Sequence, residues 1–130
     1  MISRIQVVTV HVSDIERSVA FYTSVLGFEV VADWQGEAGD RMVFVLPPGA
    51  ETELGLYCAG VPDRRVGSGE GVVLTSDDIR ATVEALRERG VRFTRDLVMH
   101  DYGEGDLPSD TGDLEAEFAD PDGNRFVLHS

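Results

Sequence analysis

The stretch that decides the fold is VVTVHVSDIERSVAFYTSVLGFEV, residues 7–30, because its pattern returns as GVVLTSDDIRATVEALRERGVRF, residues 71–93. The second copy has one residue fewer before its last glycine. Self-similarity of this kind indicates a repeated structural unit. The aligned positions pair Asp14 with Asp78, Ile15 with Ile79, Val19 with Val83 and Tyr22 with Leu86. We therefore expect two modules with the same order of elements.

A helix is predicted at the same place in each module. The apolar positions follow the i, i+4, i+7 spacing that puts side chains on one helix face, and Tyr22 is expected in the core. Ser13 and Glu16 form a capping-box pattern, and Asp77 occupies the matching N-cap position. Gly27 and Gly90 are expected to end the two helices, since glycine adopts the positive φ of a helix C-terminus.

Strands are predicted on both sides of each helix. FEVVAD and VRFTRD each predict one strand, while FVLPPGAETELGLY and FADPDGNRFVLHS each predict two strands joined by a Pro/Gly turn. Each module is then βαβββ, and the fold class is α+β with two βαβββ modules in tandem. One helix covers one face of a four-stranded sheet, so the other face must line a cleft or meet a second sheet.

Composition limits the function classes. The chain has 130 residues, of which 42% are hydrophobic, and a formal charge of −13, which opposes nucleic-acid binding. No stretch approaches the roughly 20 apolar residues of a membrane span, and we expect a cytoplasmic protein with no membrane or nucleic-acid partner. Ten acids and no Lys or Arg lie between Asp96 and Asn124. Within it, DYGEGDLPSDTGDLE, residues 101–115, is interpreted as a solvated surface loop, or alternatively as a lid that attracts cationic ligands.

The motifs SDIERSVAFYTSVLGF and DPDGNRFVL resemble those of the vicinal oxygen chelate (VOC) superfamily, the group of glyoxalases, bleomycin resistance proteins and extradiol dioxygenases. The resemblance implies one VOC domain, residues 1–130, made of modules 1–62 and 70–130, with curved mixed sheets forming a cleft. It also implies a homodimer that binds a small organic molecule. Whether the modules pair within one chain or between two chains stays open.

Metal-binding members of this superfamily place ligands at points that correspond here to Val7, Gly55, Gly71 and Val127. None of these side chains offers a lone pair, and a divalent metal needs three or four N or O ligands. We therefore expect no metal and no cofactor. The alternative is a set of ligands at positions other than those of the family, such as His11, Glu117 and His129.

Strand alternation selects the candidate ligand-binding residues, because residues two apart share a face. This open face is expected to be polar. Trp34 and Tyr102 are placed in loops that rim the cleft, as stacking surfaces. Glu115 is expected opposite His129, as a cross-strand salt link or part of a site. The ligand-binding candidates are His11, Trp34, Glu53, Tyr57, Tyr102, Glu115, Glu117, Arg125 and His129.

Two classes of function follow from the resemblance. The first is a metal-free binder of a cationic or aromatic organic molecule, as in antibiotic sequestration, which the negative charge favours. The second is a divalent-metal-dependent lyase, isomerase or dioxygenase. A metal-free enzyme with His11 or Glu117 as base is a third, less supported hypothesis, and no catalytic residue is assigned. Arg125 is expected to pair with acids, or else to bind a ligand carboxylate or phosphate.

Overall fold

The computed structural model describes residues 1–99 and 114–130. It divides into two compact units. The first contains residues 1–69 together with residues 120–124, and the second contains residues 70–119 together with residues 125–130. In the described part of the chain, no helix has the length and apolarity needed to cross a membrane.

The first unit is a four-stranded sheet with one helix. In chain order its elements are β1 (Val7–His11), α1 (Ile15–Ala20), β2 (Glu29–Gln35), β3 (Arg41–Leu46) and β4 (Glu53–Cys58). The strand order is β1-β4-β3-β2, with β1 parallel to β4 and the other pairs antiparallel. This is the predicted βαβββ order.

The second unit repeats the arrangement. Its elements are β5 (Val72–Thr75), α2 (Ile79–Glu88), β6 (Arg92–Met99), β7 (Leu114–Ala119) and β8 (Arg125–His129). The strand order is β5-β8-β7-β6, again with a parallel first pair. The tandem βαβββ fold predicted from the repeat is confirmed.

Each sheet buries one face, and alternate strand residues form the core. In the first unit Val10, Val43 and Leu56 are at most 3% exposed, whereas Thr9 between two inward residues is exposed. In the second, Phe118 and Phe126 stack with ring centroids 5.6 Å apart. Burying a side chain of this size contributes about 1.5–3 kcal/mol, so a strand slipped by one residue would lose its whole apolar set.

Both helices begin one residue later than the capping pattern suggests. The Asp14 and Asp78 carboxylates accept from the backbone N–H three residues on, at 3.1 and 3.2 Å, so these are the N-caps. The prediction of Ser13 and Asp77 as N-caps is wrong. Neighbouring residues in each pair can both cap, and the backbone of Asp14 and Asp78, with φ near −140°, decides between them.

The extra residue of the first helix is accommodated by a π-helical turn. Thirteen positions separate Asp14 from Gly27, but only twelve separate Asp78 from Gly90. After α1 the chain continues as a π turn over Phe21–Val25, in which the Leu26 N–H reaches back five residues to the Phe21 carbonyl at 3.1 Å. One wide turn absorbs one inserted residue without ending the helix. Gly27 and Gly90 have φ of 78° and 84°, so both end their helices as predicted.

Candidate functional site

A row of four side chains crosses the open face of the first sheet, which is the face not packed on α1. Register places Trp34 of β2 beside Met42 of β3, Met42 beside Tyr57 of β4, and Tyr57 beside His11 of β1. Paired residues of adjacent strands project to the same side of a sheet. The row therefore presents an indole, a thioether, a phenol and an imidazole in sequence.

The next row along the strands includes a glycine. It contains Ala32, Phe44, Gly55 and Thr9. A Cβ built on Gly55 would lie 2.2 Å from the Met42 Cε atom, so the methionine side chain covers the glycine. Because β3 adds Met42 and Phe44, this face is more apolar than alternation on β1 and β4 alone indicated. The expectation of a polar face was wrong for this unit, because alternation had been applied to the residues of β1 and β4 but not to those of β3.

Trp34 lies within a strand, not in a loop. β2 extends to Gln35, one residue past Trp34, and the predicted strand FEVVAD stopped at Asp33. The expectation of a rim loop is therefore wrong, although the side chain is 50% exposed and open to stacking. β2 is paired with β3 on one side only, and it extends because Arg41 of β3 binds the Asp33 carboxylate through Nε at 3.0 Å and Nη2 at 2.6 Å.

His11, the last residue of β1, is held by Asp63. Its Nδ1 atom lies 3.0 Å from Asp63 Oδ2, and its ring meets the Tyr57 ring edge-on, with centroids 5.6 Å apart. The His11 side chain is 19% exposed and that of Asp63 is 7% exposed. The candidate residues His11 and Tyr57 are thus brought into contact, and both remain accessible from the open face.

Asp63 and Asp40 support this pair and were missed from the sequence. The backbone N–H and side-chain Nε of Arg65 both donate to Asp63 Oδ1 at 3.0 Å, and these bonds, with a smaller effect of His11, lower the pKa of Asp63. The Tyr57 hydroxyl donates to Asp40 Oδ2 at 3.2 Å, and desolvation followed by this bond raises the pKa of Tyr57. Both acids lie in irregular segments, where no periodicity marks which way a side chain points.

The remaining candidates lie in the two units as follows. Glu53 of β4 pairs with Val7 of β1 and is half-buried. Tyr102 lies outside the described residues. The second unit carries Glu115, Glu117, Arg125 and His129.

The open face of the second sheet is charged, as alternation predicted. Glu115 lies opposite His129 in the register, as expected, and Arg95 makes an ion pair with Glu115 at 3.2 Å. Arg125 contacts Glu70 and lies 3.8 Å from Glu117, in keeping with its predicted pairing with acids. The two sheets therefore differ in their open faces: the first is aromatic and apolar, the second is a ladder of charges.

The metal positions of the family do not fit a metal here. The nearest neighbours of a Cβ built at Gly55 are Met42 Cε, Val7 Cγ2 and, at 3.5 Å, Thr9 Oγ1, so a single hydroxyl is the one lone-pair donor among them. In the second unit Val127 pairs with Val73, another residue without a lone pair. Across residues 1–99 and 114–130, His, Cys, Asp and Glu form no group of three or more suited to a metal ion.

The DPDGN turn anchors the first unit. Tyr22 donates its hydroxyl to Asp120 Oδ2 at 2.8 Å, and burial followed by the Asp120 charge raises the pKa of Tyr22 far above its usual range. Asn124 donates its amide to Asp120 Oδ2 at 2.9 Å and to the His11 carbonyl at 3.0 Å, and it accepts from the Gly69 N–H at 2.8 Å. These residues are buried and fully bonded, so the motif holds the end of β1 in place.

A second set of bonds ties the same turn to the start of α1. Asp122 accepts from the Ser13 hydroxyl, from the Ser13 N–H at 3.2 Å and from Arg17 Nη2 at 2.9 Å. Ser13 is therefore engaged with the turn instead of capping its own helix. Residues 120–124 and the start of α1 are accounted for by this scaffold, and neither motif contributes a side chain to the open face of the first sheet.

The fold and its open face define a tandem βαβββ protein whose metal positions carry no metal ligands. A model of the Glyoxalase/Bleomycin resistance protein/Dioxygenase superfamily matches residues 4–128, and the chain belongs to this superfamily.

The chain is similar to the following three proteins. TnmS3, an antibiotic binding protein from Streptomyces sp. CB03234, is 37% identical with a TM-score of 0.76, over 98% of this chain and 95% of that one. A superfamily member from Sphaerobacter thermophilus DSM 20745 is 35% identical with a TM-score of 0.81, over 98% and 97%. YetH of Bacillus subtilis (strain 168) is 29% identical over 98% of both chains.

Proposed function

We propose that the protein binds a small aromatic organic molecule on the open face of its first sheet and releases it unchanged, as in antibiotic sequestration. The observation that carries this proposal is the row of Trp34, Met42, Tyr57 and His11. Strands in a sheet lie about 4.8 Å apart, so four strands give a surface about 14 Å across. That is wide enough for a flat ligand of two or more fused rings.

The chemistry of the row suits such a ligand. Trp34 provides an exposed ring face, and aromatic stacking adds about 0.5–1.5 kcal/mol beyond the area buried. Met42 covers Gly55 with a flexible thioether that can move to admit a ring, because methionine has three rotatable bonds. The similarity to TnmS3, itself an antibiotic binding protein, supports the same role here.

Charge favours a cationic ligand. The chain carries a formal charge of −13, and Glu53 adds a carboxylate beside the two rows, on β4. A negative field of this size raises the local concentration of cations and their rate of association. The residues at the family's metal positions, Val7, Gly55, Gly71 and Val127, offer no ligand, so we propose that binding proceeds without a metal.

The proposal is tested by calorimetric titration with naphthalene probes that differ only in charge. 1-Naphthylmethylamine should bind more tightly than 2-naphthoate at low salt, and the difference should shrink as salt screens the charges. At about 100 times its dissociation constant, a bound probe should stabilise the fold by roughly 2.7 kcal/mol in thermal melting.

The matched variants are Trp34→Ala in the row and Val73→Ala, an apolar residue of the second unit that is also at least half-exposed, at 58% against 50% for Trp34. Trp34→Ala should weaken binding of the amine about tenfold, from the loss of stacking, whereas Val73→Ala should leave it unchanged. Equal effects of the two variants would contradict a site on the first sheet. Binding confined to 2-naphthoate would contradict the charge argument and would point to Arg125 as the anchor.

A further inference from the structure

We infer that His11 determines which ligands the first sheet accepts, because the structure fixes its Nε2 atom as a hydrogen-bond acceptor. The preferred ligand then carries a hydroxyl or N–H donor at the edge of its ring system that meets β1. This inference rests on the proposed function, and it adds the hydrogen-bonding class of the ligand to it.

The imidazole of His11 carries its proton on Nδ1. Asp63 Oδ2 lies 3.0 Å from Nδ1 of His11, and an ionised carboxylate can only accept a hydrogen bond. Nδ1 must therefore carry the proton that bridges the two side chains. In a neutral imidazole only one nitrogen carries a proton, so Nε2 keeps its lone pair.

Arg65 fixes the orientation of the Asp63 carboxylate. Its other oxygen, Oδ1, accepts from both the backbone N–H and the Nε of Arg65. Two donors on one oxygen hold the carboxylate plane and leave Oδ2 directed at His11. The same bonds keep the carboxylate in its charged form, as the lowered pKa of Asp63 indicates.

Tyr57, the neighbour of His11 on the row, also presents an acceptor. The Tyr57 hydroxyl donates its only proton to Asp40. Its oxygen can therefore only accept a hydrogen bond from a ligand. The Thr9 hydroxyl, in the next row, can donate or accept and does not discriminate. His11 and Tyr57 together present two acceptors at the β1 end of the face.

A ligand with only acceptors at this edge would leave Nε2 without a partner. An unpaired polar group costs about 1–3 kcal/mol when it is removed from water, and this corresponds to about tenfold or more in affinity. The preference is therefore measurable with two probes of the same ring system. 2-Naphthol has a donor, and 2-methoxynaphthalene has only an acceptor.

Asp63→Asn inverts the preference if the inference is correct. The amide oxygen should take the place of Oδ1, because two Arg65 donors require an acceptor there, and the NH2 group should then face Nδ1 of His11. Nδ1 becomes the acceptor, and the proton moves to Nε2, which becomes a donor. The control is Asp96→Asn, which makes the same chemical change at an exposed acid of the second unit.

Two measurements test this at about pH 8, above the ordinary histidine pKa of about 6.5. Nitrogen-15 NMR of the ligand-free protein should show the Nδ1–H tautomer of His11 in the wild type and the Nε2–H tautomer in Asp63→Asn. Calorimetry should show about tenfold tighter binding of 2-naphthol than of its methyl ether to the wild type and to Asp96→Asn. That ratio should fall to one or below in Asp63→Asn.

The outcomes separate the two proposals. An Nε2–H tautomer in the wild type, or a probe ratio that Asp63→Asn does not change, would overturn the role of His11 while binding to the sheet stands. Failure of 1-naphthylmethylamine, 2-naphthol and the ether to bind the wild type at all would contradict the proposed function, and the inference would fall with it. A His11→Phe variant, which keeps an aromatic ring beside Tyr57, should bind both probes equally.

Discussion

Tyr22→Phe removes one oxygen atom from the core of the first unit. Tyr22 is fully buried, and its hydroxyl donates to Asp120 Oδ2 at 2.8 Å. Asp120 is 5% exposed, so water cannot readily replace the lost donor. The aromatic ring and its packing remain, and the substitution therefore reports on a single hydrogen bond.

The expected cost follows from the bonds that Asp120 keeps. A hydrogen bond to a charged group contributes about 1.5–3 kcal/mol. After the substitution Asp120 still accepts from the Asp122 N–H at 3.0 Å, the Asn124 N–H at 2.8 Å and the Asn124 amide at 2.9 Å. The carboxylate is thus left partly satisfied, and we expect a loss of about 2 kcal/mol, in the lower part of that range.

Urea unfolding followed by circular dichroism measures the loss. The midpoint should fall by about 1 M at unchanged slope, and the melting temperature should fall by about 6–10 °C. Tyr57→Phe is the control, because it deletes the same atom at an accessible position with a longer bond to Asp40. A cost for Tyr22→Phe no larger than that for Tyr57→Phe would refute the view that the turn anchors this unit.

Further predictions concern stability, assembly and composition. Because the folded pKa of Tyr22 is raised, its stabilising effect is present below the unfolded pKa of about 10 and decreases above it, so the difference in unfolding free energy between wild type and Tyr22→Phe should shrink in alkaline urea titrations. Ser18→Ala should stabilise the protein by roughly 1 kcal/mol in urea unfolding, since within the described residues its buried hydroxyl has no partner; a loss would show a missed bond. We propose a homodimer, and light scattering at micromolar concentration should give twice the mass of one chain. Elemental analysis should find less than about a tenth of a divalent metal per chain, with melting unaffected by a chelator; about one metal per chain, lost in His11→Ala, would contradict the metal-free proposal.

The repeat in the sequence predicted the fold because its two copies indicate the same order of elements. Two helices with aligned apolar faces and glycine ends, Gly27 and Gly90, are hard to match by chance, and the strands around them follow from alternation. The extra residue before Gly27 was visible as well. The sequence did not predict that this residue is accommodated by a π turn, because hydrogen-bond geometry, and not residue type, decides where an insertion is absorbed.

The geometry of the candidate site was predicted in part. His11 and Tyr57 were placed on the correct face by counting, since β1 and β4 are regular. Asp63 and Arg65 were missed because they lie in an irregular segment after β4, where side-chain direction depends on turns that the residues themselves do not specify. Trp34 was misplaced because a strand end depends on its pairing partner, here Arg41, which lies outside the strand itself.

The turn at residues 120–124 makes the two halves of the chain unequal, although their patterns repeat. Where the first half places Tyr22 the second places Leu86, and the aligned hairpins put Leu46 where the other has Asp120. The first unit thus includes five residues that lie far along the chain from the rest of it, residues 120–124. A fragment cut after Gly69 would remove the Asp120 acceptor of the Tyr22 hydroxyl and leave the His11 carbonyl with the Gly67 N–H but without the Asn124 amide. The first half should therefore not survive as an independent folding unit, and a chimera that exchanges it must bring a compatible turn with it.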